Sequence, residues 1–215
     1  MQEGEEKKMQ KIPTLFKREF DAEHRKRITR EVTEGCECVL EGRAVPTLKW
    51  DGAACAIIGG EIYKRYDAKQ KYGRKPPEWA IPCQESPDPI TGHWPHWVKC
   101  EEGNPADKYF LGAFRRMKEL WGGGSEKDGT YEAIGPAWQA NPYRLEENLL
   151  ERHGNVKLPM ESLLDKETGK ITFDSIKALL GQIEIEGIVF WVDGKPLCKI
   201  KRSDFGYEWP IRGGR

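Results

Sequence analysis

The chain has 215 residues, of which 38% are hydrophobic and 33% charged, and its 35 basic side chains balance 35 acidic ones. That length holds one domain, or one and a small appendage, and no apolar run approaches the roughly 18 residues of a membrane-spanning helix. Zero net charge argues against a general nucleic-acid coater, which would be basic throughout, but leaves room for a local basic groove.

Residues 1–12 read as a flexible charged segment with no apolar signal stretch. The chain is therefore expected to work in the cytoplasm, or inside a host cell if viral. Cys36, Cys38, Cys55, Cys83, Cys100 and Cys198 show no disulfide framework, so free thiols are expected. Residues 13–45 begin basic, with Lys17, Arg18, Arg25, Lys26, Arg27 and Arg30, and continue in short β-like runs such as Cys38-Val39-Leu40.

Leu48 to Arg65 reads as strand, turn, strand. Gly59-Gly60 is a two-residue hairpin signal that sets Arg65 opposite Ala54. Gly52, Ala53 and Ala54 are small enough for a flat ring to lie close to the backbone. Trp79 to Trp97, rich in Pro and Trp, reads as a long ordered loop pinned to its own core by its tryptophans. Cys83, His93, His96 and Cys100 are residue types that bind zinc, but neither half has C-x-x-C spacing.

Asn104-Pro105 supplies N-cap and N1 residues for a helix. Phe110, Phe114, Met117, Leu120 and Trp121 recur along it at helical spacing, and Gly122-Gly123-Gly124 ends it. Short helices are expected at 143–152 and at 174–180, the second closed by Gly181. Asp193-Gly194 marks a last hairpin in which Val192 meets Lys195. A constant register then sets Ile188 opposite Lys199 and Glu186 opposite Lys201. Glu186, Lys199 and Lys201 would share a face with Ile188, Phe190 and Leu197 as an apolar floor. Mixed strands with few helices point to an α+β domain of antiparallel sheets with flanking helices. It is expected to span 13–205, leaving 206–215 as a short tail.

A lysine attacks phosphorus only as the free amine, so its pKa must be lowered by nearby cations or desolvation. The attacked triphosphate needs positive charge around it and a metal on its oxygens. Lys49-Trp50-Asp51-Gly52, a K-x-D-G tetrapeptide, is weak evidence of such chemistry alone. Followed by Glu186-Gly187-Ile188-Val189-Phe190 and Lys199-Ile200-Lys201-Arg202, it resembles motifs I, IV and V of the covalent nucleotidyltransferases, the polynucleotide ligases and mRNA capping enzymes. Gly129 to Gly135 resembles their motif III.

The resemblance implies that Lys49 takes AMP from ATP, with Leu48, Asp51 and Gly52 beside the nucleotide. Glu132 would accept a hydrogen bond from the ribose, and Arg65 would contact the ribose or the RNA terminus. Either Trp138 or Tyr143 would stack on the base. Lys199 and Lys201 would hold the α-phosphate and depress the pKa of Lys49. Glu186 would support Mg²⁺, with Mn²⁺ as a possible substitute.

Asp88-Pro89-Ile90-Thr91-Gly92-His93-Trp94-Pro95, Asn141-Pro142-Tyr143 and His153-Gly154 are similar to phrases of the compact 5′-to-3′ RNA ligase family that has a vertebrate member. Only 203–215 follow motif V, too short for the OB-fold that other relatives append. The implied activity is ATP-dependent joining of an RNA 5′-phosphate to a 3′-hydroxyl, by a monomer, through lysyl-AMP and RNA-adenylate. A GTP-dependent RNA guanylyltransferase and a noncatalytic RNA-end binder are the alternatives.

Overall fold

The computed structural model describes residues 9–20, 23, 26–69, 72–122 and 127–211. In chain order the elements are β1 (Phe16–Phe20), β2 (Lys26–Val32), α1 (Glu37–Leu40), β3 (Val45–Lys49), β4 (Ala53–Ile58), β5 (Glu61–Ala68), β6 (Ile81–Pro82) and β7 (Trp94–Lys99). Then come α2 (Lys108–Trp121), β8 (Gly129–Ile134), β9 (Leu149–Arg152), α3 (Phe173–Gln182), β10 (Gly187–Val192) and β11 (Lys195–Lys201). The chain is mixed α/β, with antiparallel sheets and few helices.

It divides into two compact units: a central one of Met1–Lys11 and Asp51–His153, and a flanking one of Ile12–Trp50 and Gly154–Arg215. The expected span 13–205 is thus shared between them. Of the stretch expected to be flexible, residues 1–8 lie outside the described residues. Met9 donates its backbone N–H to Cys83 O at 3.1 Å, and Lys11 pairs with Asp88 at 3.0 Å.

The central unit is a six-stranded sheet in the order β6-β7-β5-β4-β8-β9. The β4–β5 hairpin closes at Gly59-Gly60 with Ile58 opposite Glu61, the register the turn signal dictates. Side chains alternate across a strand, so Cys55, Ile57, Ile62, Tyr131 and Ala133 share one face. There they pack with Phe110, Ala113, Phe114 and Met117 of α2. The opposite face carries Ala56, Ile58 and Trp97, joined by Cys83.

Three expectations change here. The 79–97 segment is not all loop: it holds β6 and the start of β7, and Trp97 is fully buried in the sheet. The helix begins at Lys108, not beside Pro105, because the Asp107 carboxylate is turned to Lys64, Glu101 N–H and the Asn104 amide. Residues 143–152 form no helix. Arg144 has a positive φ of 53°, and the Asn141 side chain closes a turn onto both the N–H and the carbonyl of Leu145. The chain then pairs with β8 as β9.

The flanking unit is a three-stranded sheet, β11-β10-β3, beside the β1–β2 ribbon. Ile188, Phe190, Cys198 and Ile200 point to one side and join Leu15, Phe16, Leu163, Ile176 and Leu180 in its core. Helix α3 starts from a reciprocal Thr172–Ser175 capping box. It runs through Gly181, which lies against the Tyr207 ring instead of ending the helix. The buried Arg202 closes the C-terminal end, donating to the carbonyls of Leu180 and Ile183. Cys38-Val39-Leu40, expected as strand, is a helical turn with Val39 buried.

The last hairpin opens as expected, with Val192 opposite Lys195, but β11 then carries one extra residue, Leu197. Beyond this bulge Lys199 lies opposite Val189 and Lys201 opposite Gly187. A one-residue slip moves a strand's side chains to the other face. Lys199 and Lys201 therefore point away from Ile188 and Phe190, and the apolar floor expected beneath them is the unit's core instead.

Candidate functional site

Two groups of the expected residues gather, each within one unit. In the flanking unit β3 pairs with β10 so that Gly187 faces Lys49 on one side and Lys201 on the other. Directly opposed residues share a face, so the two lysines project together across a residue without a side chain. Gly187 is obligatory for a second reason: a Cβ there would lie 2.2 Å from Ile200 O.

Glu186 precedes β10 in a bend and so escapes the alternation of the strand. Its backbone carbonyl accepts from Arg202 N–H at 2.8 Å. Its carboxylate, 6% exposed, turns to the lysines: Oε2 pairs with Lys49 Nζ, and Oε1 accepts from Lys201 Nζ at 2.5 Å. Lys49 Nζ also reaches Trp50 O at 3.4 Å.

Lys199 projects from the same face, and its Nζ makes no hydrogen bond or ion pair among the described residues. Burial first, then the charges of Lys49, Lys201 and Arg18, push its ammonium from 10.5 down to about 8. The group is a carboxylate already shared by two cations, with a third cation left over. Such an arrangement attracts an anion.

In the central unit Gly52 runs so close to β8 that a Cβ would lie 2.1 Å from Ala133 O. Its smallness serves the sheet before it could serve a bound ring. The Gly52 N–H donates to Glu132 Oε1 at 3.0 Å, and Gln139 Nε2 donates to Gly52 O at 3.1 Å. His153 Nε2 lies 3.0 Å from the other Glu132 oxygen, and its Nδ1 lies 3.0 Å from Thr130 Oγ1. An ionised carboxylate only accepts, which makes Nε2 the protonated nitrogen. Glu151 sits directly opposite Glu132, and burial holds its carboxyl above the usual range.

Asp51 donates its N–H to the Tyr143 hydroxyl at 2.6 Å. Trp138, the other aromatic weighed for base stacking, packs instead on Phe110 and Tyr109 of α2, with centroids at 5.2 and 6.4 Å. Arg65 is exposed and paired with Asp67 at 2.8 Å. Leu48 lies on the core side of β3, opposite Ile188 and packed against the flanking unit's interior.

The zinc-type residues do not gather. Cys83 packs with Trp97 and Ala56, Cys100 with Phe110 and Ile62 in a separate cluster. Among the described residues no three His, Cys, Asp or Glu side chains are placed to hold a metal.

Residue reasoning missed Arg18, Glu151 and His153. His153 enters the sequence reading only through the His153-Gly154 resemblance, and Glu151 falls inside the expected 143–152 helix. Comparison with known protein families and with curated proteins gives no match. Among the described residues no helix is long and apolar enough to cross a membrane.

Proposed function

We propose that this chain is an ATP-dependent 5′-to-3′ RNA ligase that joins a 5′-phosphate to a 3′-hydroxyl, acting as a monomer within a cell. The observation that carries the reading is the convergence of Lys49, Lys199 and Lys201 around the single carboxylate of Glu186. Lys49, released from Glu186, attacks the α-phosphorus of ATP and retains AMP as lysyl-AMP. Lys199 and Lys201 neutralise the α-phosphate as charge builds on it. AMP then passes to the RNA 5′-phosphate, and the 3′-hydroxyl displaces it.

Glu132, fixed by Gly52 and His153, accepts from the ribose, and Arg65 meets the ribose or the RNA end. Asp51 and Gly52 line the nucleotide; Leu48 supports the strand from the core side. Mg²⁺ is held by one or two carboxylates with substrate phosphates and waters completing its shell. A site with one buried carboxylate, Glu186, fits that habit, and the ion would supply further neutralisation of phosphate charge, with Mn²⁺ as a substitute.

Incubation with α-labelled ATP and Mg²⁺ tests the reading. The wild-type chain should retain label through denaturation and Lys49→Ala should retain none. Label on the mutant, or none on the wild type, defeats it.

A further inference from the structure

A fourth cation belongs to the flanking-unit cluster. Residues 13–15 run alongside β11, with Lys199 N–H donating to Pro13 O at 3.0 Å and Leu15 N–H to Lys199 O at 2.8 Å. Leu15 and Phe16 anchor this segment in the core, and β1 then delivers Arg18. One guanidinium nitrogen of Arg18 binds Asp204 Oδ1 at 2.5 Å. The other Asp204 oxygen accepts from the backbone N–H of Lys201 at 2.9 Å. Arg18 is thereby tied, through one nearly buried carboxylate, to the backbone of a cluster lysine.

Its neighbour on the ribbon shows what an ordinary pair looks like. Arg30 spends both terminal nitrogens on Asp174, at 2.7 Å each, with both side chains exposed. Among the described residues Arg18 spends one and keeps the rest of its fork. A guanidinium presents five donors in a rigid plane suited to phosphate oxygens. Its charge is also felt by Lys199. Four cations, Arg18, Lys49, Lys199 and Lys201, thus face two carboxylates, Glu186 and Asp204.

We propose that Arg18, positioned by Asp204, binds the β- and γ-phosphates of the nucleotide and receives the departing pyrophosphate. The inference rests on Lys49 as the nucleophile. In that step the lone pair of Lys49 Nζ forms the N–P bond and the α-phosphorus–oxygen bond to the β-phosphate breaks. The bonding electrons leave on the pyrophosphate oxygen, and the amine proton passes to water. Charge accumulates on the leaving group, where a fork that is still open does most.

Calorimetric titration of the full chain with inorganic tripolyphosphate, and separately with orthophosphate, tests this without requiring turnover. Arg18→Gln should bind tripolyphosphate about tenfold more weakly, as expected for one lost charge-assisted contact, with orthophosphate binding changed less than about twofold. Unchanged tripolyphosphate binding overturns the proposal. Equal weakening of both anions overturns it too, since that would be bulk charge. If thermal melting shows Arg18→Gln to be unfolded, Arg18→Lys replaces it, with a loss of about threefold expected and no loss counting against the proposal. ATP labelling of the wild type runs in parallel. Its failure would sink the nucleotidyl-transfer reading, while the titration still decides whether Arg18 is a polyphosphate ligand.

Discussion

Each unit contains a lysine paired with a carboxylate shut away from water, and the two pairs are built to opposite ends. In the central unit Asp107 accepts from Lys64, from Glu101 N–H at 3.1 Å and from the Asn104 amide at 2.9 Å. Its single cation is matched, and its remaining capacity is filled by neutral donors. In the flanking unit Glu186 accepts from two ammonium groups, and a third, on Lys199, is left over. Buried charge tolerates its desolvation only when fully compensated. The first pair is finished as it stands. The second keeps, among the described residues, one cation beyond its carboxylate, an arrangement that attracts an anion.

The largest expected effects come from exchanging the two carboxylates. Asp107→Ala should destabilise the chain by about 3 kcal/mol in denaturant unfolding, because it strips the Lys64 ammonium, the Glu101 N–H and the Asn104 amide at once of the acceptor they share. Labelling by ATP should survive wherever that mutant remains folded. Glu186→Gln should do the reverse. Lys49 and Lys201, with side chains 20% and 32% exposed, can reach water when their carboxylate goes, so stability should fall by only about 1 kcal/mol. Labelling should drop about a hundredfold, since the lysines lose the group that sets their geometry. Equal losses of stability in the two mutants would erase the distinction.

Legibility in the sequence followed the same division between local and compensated features. The β4–β5 register was readable because Gly59-Gly60 fixes it locally and nothing interrupts the ladder. The last hairpin had an equally clear turn, yet the extra Leu197 shifted every pair beyond it. No residue type announces a bulge at a position so like its neighbours. Lys199 and Lys201 stayed together because a shift moves both alike. Lys49 joined them through β3, a pairing between residues far apart in the chain that periodicity cannot express. Glu151 and His153 were missed for a different reason. Glu151 falls in a segment with acceptable helical spacing, which only the Asn141 turn and the ladder to β8 override, and His153 directly follows that segment.

Two glycines sharpen the comparison at intermediate size. A Cβ on Gly187 would meet Ile200 O at 2.2 Å, and one on Gly52 would meet Ala133 O at 2.1 Å. Backbone cannot yield as a flexible side chain can, so Gly187→Ala and Gly52→Ala should each cost about 2 kcal/mol of stability. Their functional costs should differ. Gly187 separates Lys49 from Lys201 in the sheet, so spreading the strands there disrupts the shared carboxylate and should abolish most labelling. Gly52→Ala displaces one donor to Glu132 and should raise the ATP concentration needed for half-maximal labelling before it lowers the maximal rate. Identical behaviour of the two mutants would mean that neither spacing matters beyond folding.

The smallest effect is the most direct reading of the leftover charge. In an unfolded chain Lys199 titrates near 10.5, whereas in the fold burial and the charges of Lys49, Lys201 and Arg18, offset in part by Glu186, bring it to about 8. Below about pH 8 both states carry the proton, and the folded state bears the full cost of the crowded cation. Between about 8 and 10.5 the unfolded state holds a proton that the folded state has shed, so stability contributed by this group rises with pH across that window. Lys199→Met removes this contribution. The mutant should be the more stable form at pH 7, and its advantage should shrink by a few degrees in Tm as pH approaches 10. Subtracting the two profiles cancels every other lysine that titrates alike in both proteins. Saturating tripolyphosphate should flatten the difference, because an anion beside Lys199 favours keeping the proton. Parallel profiles without the anion would make Lys199 an ordinary solvated lysine, and the flanking cluster as finished as Lys64 and Asp107.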